Sequence, residues 1–259
     1  MSSPTPVTAD IYRWTGHSLD LLDYCDLSDT SIAAADSWLV ENGRTLALDL
    51  HRARFLEHAP AATDFWDASI AAIPRDGDWF PRVELHTNGR MLFRLRSAPT
   101  RTRSVTLATH HGPDPRTSPT AKGPDLDAMR RLRTAAQALG ADEAVILSPD
   151  GYVVEGSYSA LLWWRGAILC FPPAEFERVP SITARSLIGL AVALGIETLE
   201  EAVTPAELDG TEVWALNALQ GPRIVTGWVD GPGMAELPGR IAQWRLRLGA
   251  LAHPLPEVA

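Results

Sequence analysis

EAVILSPDGYVVEGSYSALLWW, residues 143–164, holds the reading that decides the fold. An apolar run at 143–147 ends before the turn pair Asp150-Gly151, and two further apolar runs follow at 152–156 and 160–164. Short β-branched and aromatic runs bounded by turn pairs are strand signals. Arg165-Gly166 supplies the next turn, ahead of a fourth strand at 167–171. The expectation is a small sheet.

Working outward, Pro124 suits the first turn of a helix whose apolar residues Leu126, Met129, Leu132, Ala136 and Leu139 recur at helical spacing until Gly140 stops it. On the other side, Ser181 is placed to cap a helix running to 194, with Gly195 beyond its end. Strands at 212–216 and 223–228 and a last helix at 237–251 are expected to close the chain. The first half reads as strands at 11–15, 36–40 and 44–48, the latter two joined by Asn42-Gly43. A helix at 49–58, an apolar-periodic stretch at 61–73 and a hairpin of 82–86 with 91–95 across Asn88-Gly89 complete it. The segment 98–123 is rich in Pro, Thr, Arg and Gly around one strand at 104–108, and it reads as a passage between lobes. The expected fold class is α/β (α+β): a small N-terminal α+β lobe at 1–100, an interlobe segment at 101–122 and a larger C-terminal α/β lobe at 123–259.

With 259 residues, 46% of them apolar and 21% charged, the chain buries a sizeable core. A net charge of −9 disfavours a nucleic-acid partner, which needs clustered basic surface. The longest apolar stretches fall far short of the ~20 residues of a membrane span. The polar start MSSPTPVTAD lacks a basic segment followed by an apolar run, so a cytoplasmic location is expected. Cys25 and Cys170 stand apart without metal-ligand spacing, and His110-His111 has no companion ligands, so neither a disulfide framework nor a metal site is expected. Dinucleotide, Walker and nucleophile-elbow motifs are missing. Trp163-Trp164 puts one ring on each face of a strand, where one is available to a partner subunit.

Covalent catalysis by lysine needs an amine held near a carbonyl and partly desolvated. Lys122 is the only lysine in the chain and stands at the lobe junction, just before a helix. By position alone it is equally a solvated charge. Glu155 lies in an apolar strand, where a buried carboxylate needs a cationic partner such as a protonated pyridine nitrogen; the alternative is a strand-end acid facing water. Residues 179–183 offer backbone N–H groups and the Thr183 hydroxyl at a helix N-terminus, an anion site or a plain cap. His51 and Arg54 share a helical face able to present a guanidinium to phosphate, or simply to water. Arg94 and Arg96 share one strand face and await water or a carboxylate.

In this order the pieces resemble the class IV aminotransferase family. His51 and Arg54 with Phe55 stand for its His-x-x-Arg-Leu helix, and Lys122 for its lysine before a long helix. Asp142-Glu143-Ala144, Glu155-Gly156-Ser157-Tyr158-Ser159 and Pro180-Ser181-Ile182-Thr183 follow the family's later motifs. The resemblance implies a two-lobed fold type IV enzyme that uses pyridoxal 5'-phosphate and usually forms a homodimer. It implies that Lys122 is the Schiff-base lysine and that Glu155 partners the pyridine nitrogen. Arg54, Ile182 and Thr183 would hold the phosphate, helped by the Asn217-Ala218 turn. Ser37, Arg94, Arg96 and Ser159 are candidates for the substrate pocket. Three polar positions of the family pattern are here Ala160, Ala184 and Ala218, a loss of roughly 1 kcal/mol per contact. The expected activity is transamination of a small amino acid or amino-carboxylate. The alternatives are an aminodeoxychorismate lyase, releasing pyruvate and p-aminobenzoate, and a homologue without turnover that keeps the fold as a cofactor-binding or interaction module.

Overall fold

The computed structural model describes residues 9–22 and 31–257. Cys25, read above as a packing residue, lies outside them, as does the polar start.

In chain order the elements are β1 (Ala9–Trp14), β2 (Leu19–Leu21), β3 (Ile32–Ser37), β4 (Val40–Glu41), β5 (Arg44–Leu46), α1 (Leu48–His58), α2 (Thr63–Ala71), β6 (Asp78–Trp79), β7 (Arg82–His86) and β8 (Met91–Arg96). Then come β9 (Ser104–Thr109), α3 (Leu126–Ala138), β10 (Glu143–Leu147), β11 (Val153–Gly156), β12 (Ala160–Arg165), β13 (Ile168–Phe171) and α4 (Ile182–Ala193). β14 (Thr198–Glu200), a 3-10 turn (Pro205–Leu208), β15 (Glu212–Asn217), β16 (Gly221–Val229), α5 (Arg240–Gly249) and β17 (Ala252–Pro254) complete the chain. The mixed α/β class read from the sequence holds, with strands outnumbering helices.

Two compact units form. One takes Met1–Thr100, Lys122–Pro124 and Leu251–Ala259; the other takes Arg101–Ala121 and Asp125–Ala250. The first unit has a five-stranded sheet, ordered β2-β1-β8-β7-β3, and a four-stranded sheet, ordered β17-β5-β4-β6. Its core joins Trp38, between β3 and β4, and Val83 and Phe93 from the strands to Phe55, Phe65 and Trp66 from α1 and α2. Each such side chain removed from water contributes about 1.5–3 kcal/mol.

Several boundaries differ from the sequence reading, and each has a local cause. The strand expected at 36–40 is two strands, β3 and β4, because the alanines 33–35 carry no alternation while Ala34, Ala35, Asp36 and Ser37 are all buried. Asn42 and Gly43 both take positive φ, 47° and 70°, which is the tight hairpin turn their identities call for. β5 stops at Leu46 because Ala47 turns left-handed and α1 starts at Leu48. The helix at 237–251 shrinks to α5, which starts after a left-handed Gly239. It does not close the chain, since β17 follows and pairs antiparallel with β5.

In the second unit the expected small sheet is one of eight strands, ordered β11-β10-β9-β16-β15-β12-β13-β14. β9, read only as a strand in a linking passage, lies inside this sheet with parallel neighbours β10 and β16. Helix α3 packs Ala128, Met129, Leu132 and Ala136 against Ala108, Ala144 and Ile146. Leu139, counted with that stripe, is the helix C-cap and 62% exposed. The Trp163-Trp164 expectation also needs correction, because both rings are buried within the chain. Trp163 joins the core with Leu161 and Val213, and Trp164 packs against Trp214 and Trp244 under the Arg240 guanidinium.

Candidate active site

Lys122 is fixed through its backbone. Its carbonyl accepts the Ala35 N–H at 2.7 Å, which ties it to β3. Gly123, at φ 136°, makes this approach possible: a Cβ there would lie 2.8 Å from the Ala35 nitrogen and 2.9 Å from the Ala34 carbonyl carbon. The next residue of β3, Asp36, is fully buried and faces α1. Arg54 Nε and Nη2 each donate to it at 2.8 Å, and His51 Nδ1 lies 2.8 Å from Oδ1. Burial opposes ionisation of Asp36, but these two partners hold its carboxyl far below the usual carboxylate range. Burial also lowers His51, and the nearby positive charges of Arg54 and Lys122 add to that, so the ring is neutral at pH 7. Sequence reading found His51 and Arg54 but gave Asp36 no role; a charged residue inside an otherwise apolar strand was the available signal.

Ser37, one residue on, sits on the opposite face of β3 and pairs with Arg82 of β7. Arg82 in turn pairs with Arg94 of β8. Like charges directly opposite repel. Glu84, fully buried, offsets this by accepting Arg82 at 2.7 Å and Arg94 at 2.8 Å, with His86 Nε2 at 3.0 Å. Although burial works the other way, these partners bring Glu84 down to about 2. Arg96 donates to the Phe80 carbonyl and lies over the Phe80 ring. Burial and the neighbouring Arg82 and Arg94 lower it to about 10. The carboxylate expected to meet the Arg94 face therefore comes first from the chain's own Glu84.

In the second unit Glu155 is buried on β11 and is no water-facing acid. Arg116 donates to its Oε1, and the Val179 N–H approaches the same oxygen at 3.4 Å. Around it, the loop 156–159 rests on a buried network. Glu143 accepts from the Ser159 hydroxyl at 2.9 Å, the Tyr158 N–H at 3.1 Å and the Arg223 guanidinium. The Ser159 hydroxyl also receives Arg223 at 2.9 Å and the Asn217 amide at 3.3 Å. The Asn217 side-chain oxygen caps the following turn by accepting from Leu219 and Gln220. Ala218 lies in that turn between β15 and β16. Ser181 caps α4 by accepting from Ala184, and Ile182 and Thr183 are buried in its first turn, where N–H groups lack intrahelical acceptors. Ala160 and Ala184 line a hollow of about 240 Å³ with Phe171, Arg178 and Val179. Arg116, Glu84 and Arg223 escaped the sequence reading.

The sequence pattern of the family described as amino-transferase class IV matches residues 33–228. A branched-chain-amino-acid aminotransferase of Pseudomonas aeruginosa is 28% identical over 106 residues, 41% of this chain and 34% of that enzyme. The chain thus spans about a third of the length of the curated relatives it matches. Among solved structures, the branched-chain aminotransferase of Thermoproteus uzoniensis with norvaline aligns over 98% of this chain and 100% of its own, at TM-score 0.76 and 22% identity. A hypothetical aminotransferase of Mycobacterium tuberculosis in its PLP-bound form aligns over 94% and 98%, at TM-score 0.73 and 18% identity. At these identities the likeness is one of fold, and the fold is that of type IV transaminases.

Proposed function

Since the chain belongs to the class IV aminotransferase family, whose cofactor is pyridoxal 5'-phosphate, we propose that it is an aminotransferase exchanging the amino group of a small amino acid or amino-carboxylate with a 2-keto acid. One observation carries the proposal: the single lysine of the chain is pinned by its own carbonyl to β3, beside the buried Asp36. No other side-chain amine exists to hold a carbonyl cofactor.

The donor set fits this cofactor in kind. It has an amine at Lys122, a guanidinium at Arg54 oriented by Asp36, a buried carboxylate at Glu155, and the helix start at Ile182 and Thr183. In the proposed roles Lys122 holds the cofactor covalently and moves the proton at the substrate α-carbon. Glu155 partners the ring nitrogen. Arg54 and the first-turn N–H groups of Ile182 and Thr183 take the phosphate, as anions favour a helix N-terminus. Bound there, the cofactor supplies an electron sink for the bond broken at the α-carbon. Arg94 and Arg96 recognise the substrate carboxylate, with Ser37 on the same sheet face. Asn217 and Ser159, already engaged by protein partners, support the turn and loop around Glu155. Homodimer assembly belongs to the same proposal and rests on the family resemblance; a cytoplasmic location is proposed beside it.

The test is direct. Purified protein is incubated with pyridoxal phosphate, amino donors and 2-keto acids, and separately with aminodeoxychorismate. Amine exchange and a near-visible absorption band, both lost in Lys122→Ala, are expected. Release of pyruvate and p-aminobenzoate without exchange replaces the aminotransferase by the lyase. A colourless protein indifferent to Lys122→Ala leaves only a fold without turnover.

A further inference from the structure

Arg116 is a buried guanidinium with anions on two sides. Its Nε donates to both Asp114 oxygens, at 2.9 and 3.0 Å, and Nη2 donates to Asp114 at 2.6 Å and to the Glu177 carbonyl at 3.1 Å. The remaining amino group, Nη1, meets Glu155 Oε1, which the Val179 N–H also approaches, and Arg178, whose charge interacts with Glu155, is the second cation near that carboxylate. The Arg116 side chain is 3% exposed and Glu155 9%, so their contact is shielded, while Asp114, 33% exposed, holds the guanidinium from the solvent side. Against its burial, the hydrogen bonds to Asp114 and the charge of Glu155 raise Arg116, which stays a cation. The cation is thus locked by Asp114 and Glu177, with one fork end aimed at Glu155.

A buried carboxylate with no cation takes up a proton; one beside a guanidinium stays an anion. A proton shared between an acid and a pyridine nitrogen rests on the partner with the higher proton affinity. The geometry points to Arg116 as a positioning residue that, anchored by Asp114, keeps Glu155 ionised so that the proton shared with the cofactor ring rests on the ring nitrogen. This rests on the reading of Glu155 as the partner of that nitrogen. The part played by Arg116 is electrostatic and acts through Glu155, without contact with the cofactor. It also accounts for Asp114, which keeps the guanidinium from swinging away.

The experiment follows Glu155 in the protein without added cofactor, by carboxyl-carbon NMR of glutamate-labelled chain, with the signal identified by its loss in Glu155→Gln. Arg116→Gln is expected to raise the Glu155 midpoint by about 1–3 pH units, the usual effect of a guanidinium neighbour. Arg116→Lys, which keeps the charge, is expected to bring the midpoint most of the way back to the parent's. If Arg116→Gln does not fold, Arg116→Met serves in its place. A folded neutral variant with the parent's Glu155 midpoint overturns the proposal, and so does a chain that folds with neither neutral residue, since Arg116 is then structural. In the loaded protein, the nitrogen-15 signal of labelled cofactor is expected to move from protonated toward unprotonated in Arg116→Gln. Should Glu155→Gln leave that signal unchanged, the reading of Glu155 fails, while the titration still decides the Arg116–Glu155 coupling.

Discussion

Arg54 grips Asp36 with two N–H groups, Nε on Oδ2 and Nη2 on Oδ1, each at 2.8 Å. The pair joins helix α1 to strand β3 one residue past Ala35, whose N–H holds Lys122. Position and orientation of the guanidinium are therefore set before any ligand arrives. Removing one partner of such a pair leaves a buried charge unmatched, a loss of about 3–5 kcal/mol. Asp36→Ala is expected to lower stability to urea by that amount and to weaken pyridoxal-phosphate binding, though by less than Arg54→Ala does. Spectrophotometric titration and a urea melt check it; a loss below about 1 kcal/mol would show that α1 and β3 are held by apolar packing alone.

Stability is expected to fall with pH in two steps. His51 is lowered from 6.5, so the unfolded chain takes a proton there before the folded one does, and stability declines as pH drops below about 6.5. Asp36 and Glu84 are lowered from 3.8 and 4.5, so their contribution is complete above those values and is lost as pH falls toward the folded ones. Melting temperatures between pH 8 and pH 3 test this. Glu84→Gln is expected to remove part of the second step and leave the first. A single step common to both proteins rules out the assignment.

Arg94 is held through Nε by Glu84, and its two amino groups extend beyond that bond. If it meets the substrate carboxylate, Arg94→Gln replaces a charge-assisted bond by a neutral one, a loss of about 1.5–3 kcal/mol. The expected result is a 10- to 100-fold rise in KM for the keto acid, with kcat changed less. Steady-state kinetics decide, and a KM within twofold of the parent removes Arg94 from the substrate site.

Much of this was legible in the sequence because local chemistry agreed with tertiary structure. Asn42-Gly43 marked a hairpin, Ser181 capped α4, and the apolar stripe of α3 gave its buried face. What stayed hidden was set by partners distant along the chain. β14 and β17 are three residues long and exist because β13 and β5 lend them hydrogen bonds, which no propensity announces. Glu155 read ambiguously for the same reason: its cation lies 39 positions away, in a stretch that looks like a linker. Lys122 stands out in the sequence as its single lysine, whereas its attachment to Ala35 leaves no mark there.

The pair of Glu143 and Arg223 tests how the loop beside Glu155 is held. Both residues are buried, and Glu143 is shared among Arg223, the Ser159 hydroxyl and the Tyr158 N–H. Arg223→Met leaves an anion without its cation in a site closed to water, which is expected to cost about 3–5 kcal/mol. Adding Glu143→Gln removes that anion while its amide oxygen still accepts from Tyr158 or Ser159. The double variant is therefore expected to be more stable than Arg223→Met by at least about 1 kcal/mol in urea melts. It is also expected to recover some cofactor affinity, because the loop 156–159 regains its support. A double variant no more stable than the single one means that Arg223 acts by its bond to Ser159 and its packing, and that charge balance at Glu143 has no part in holding the loop.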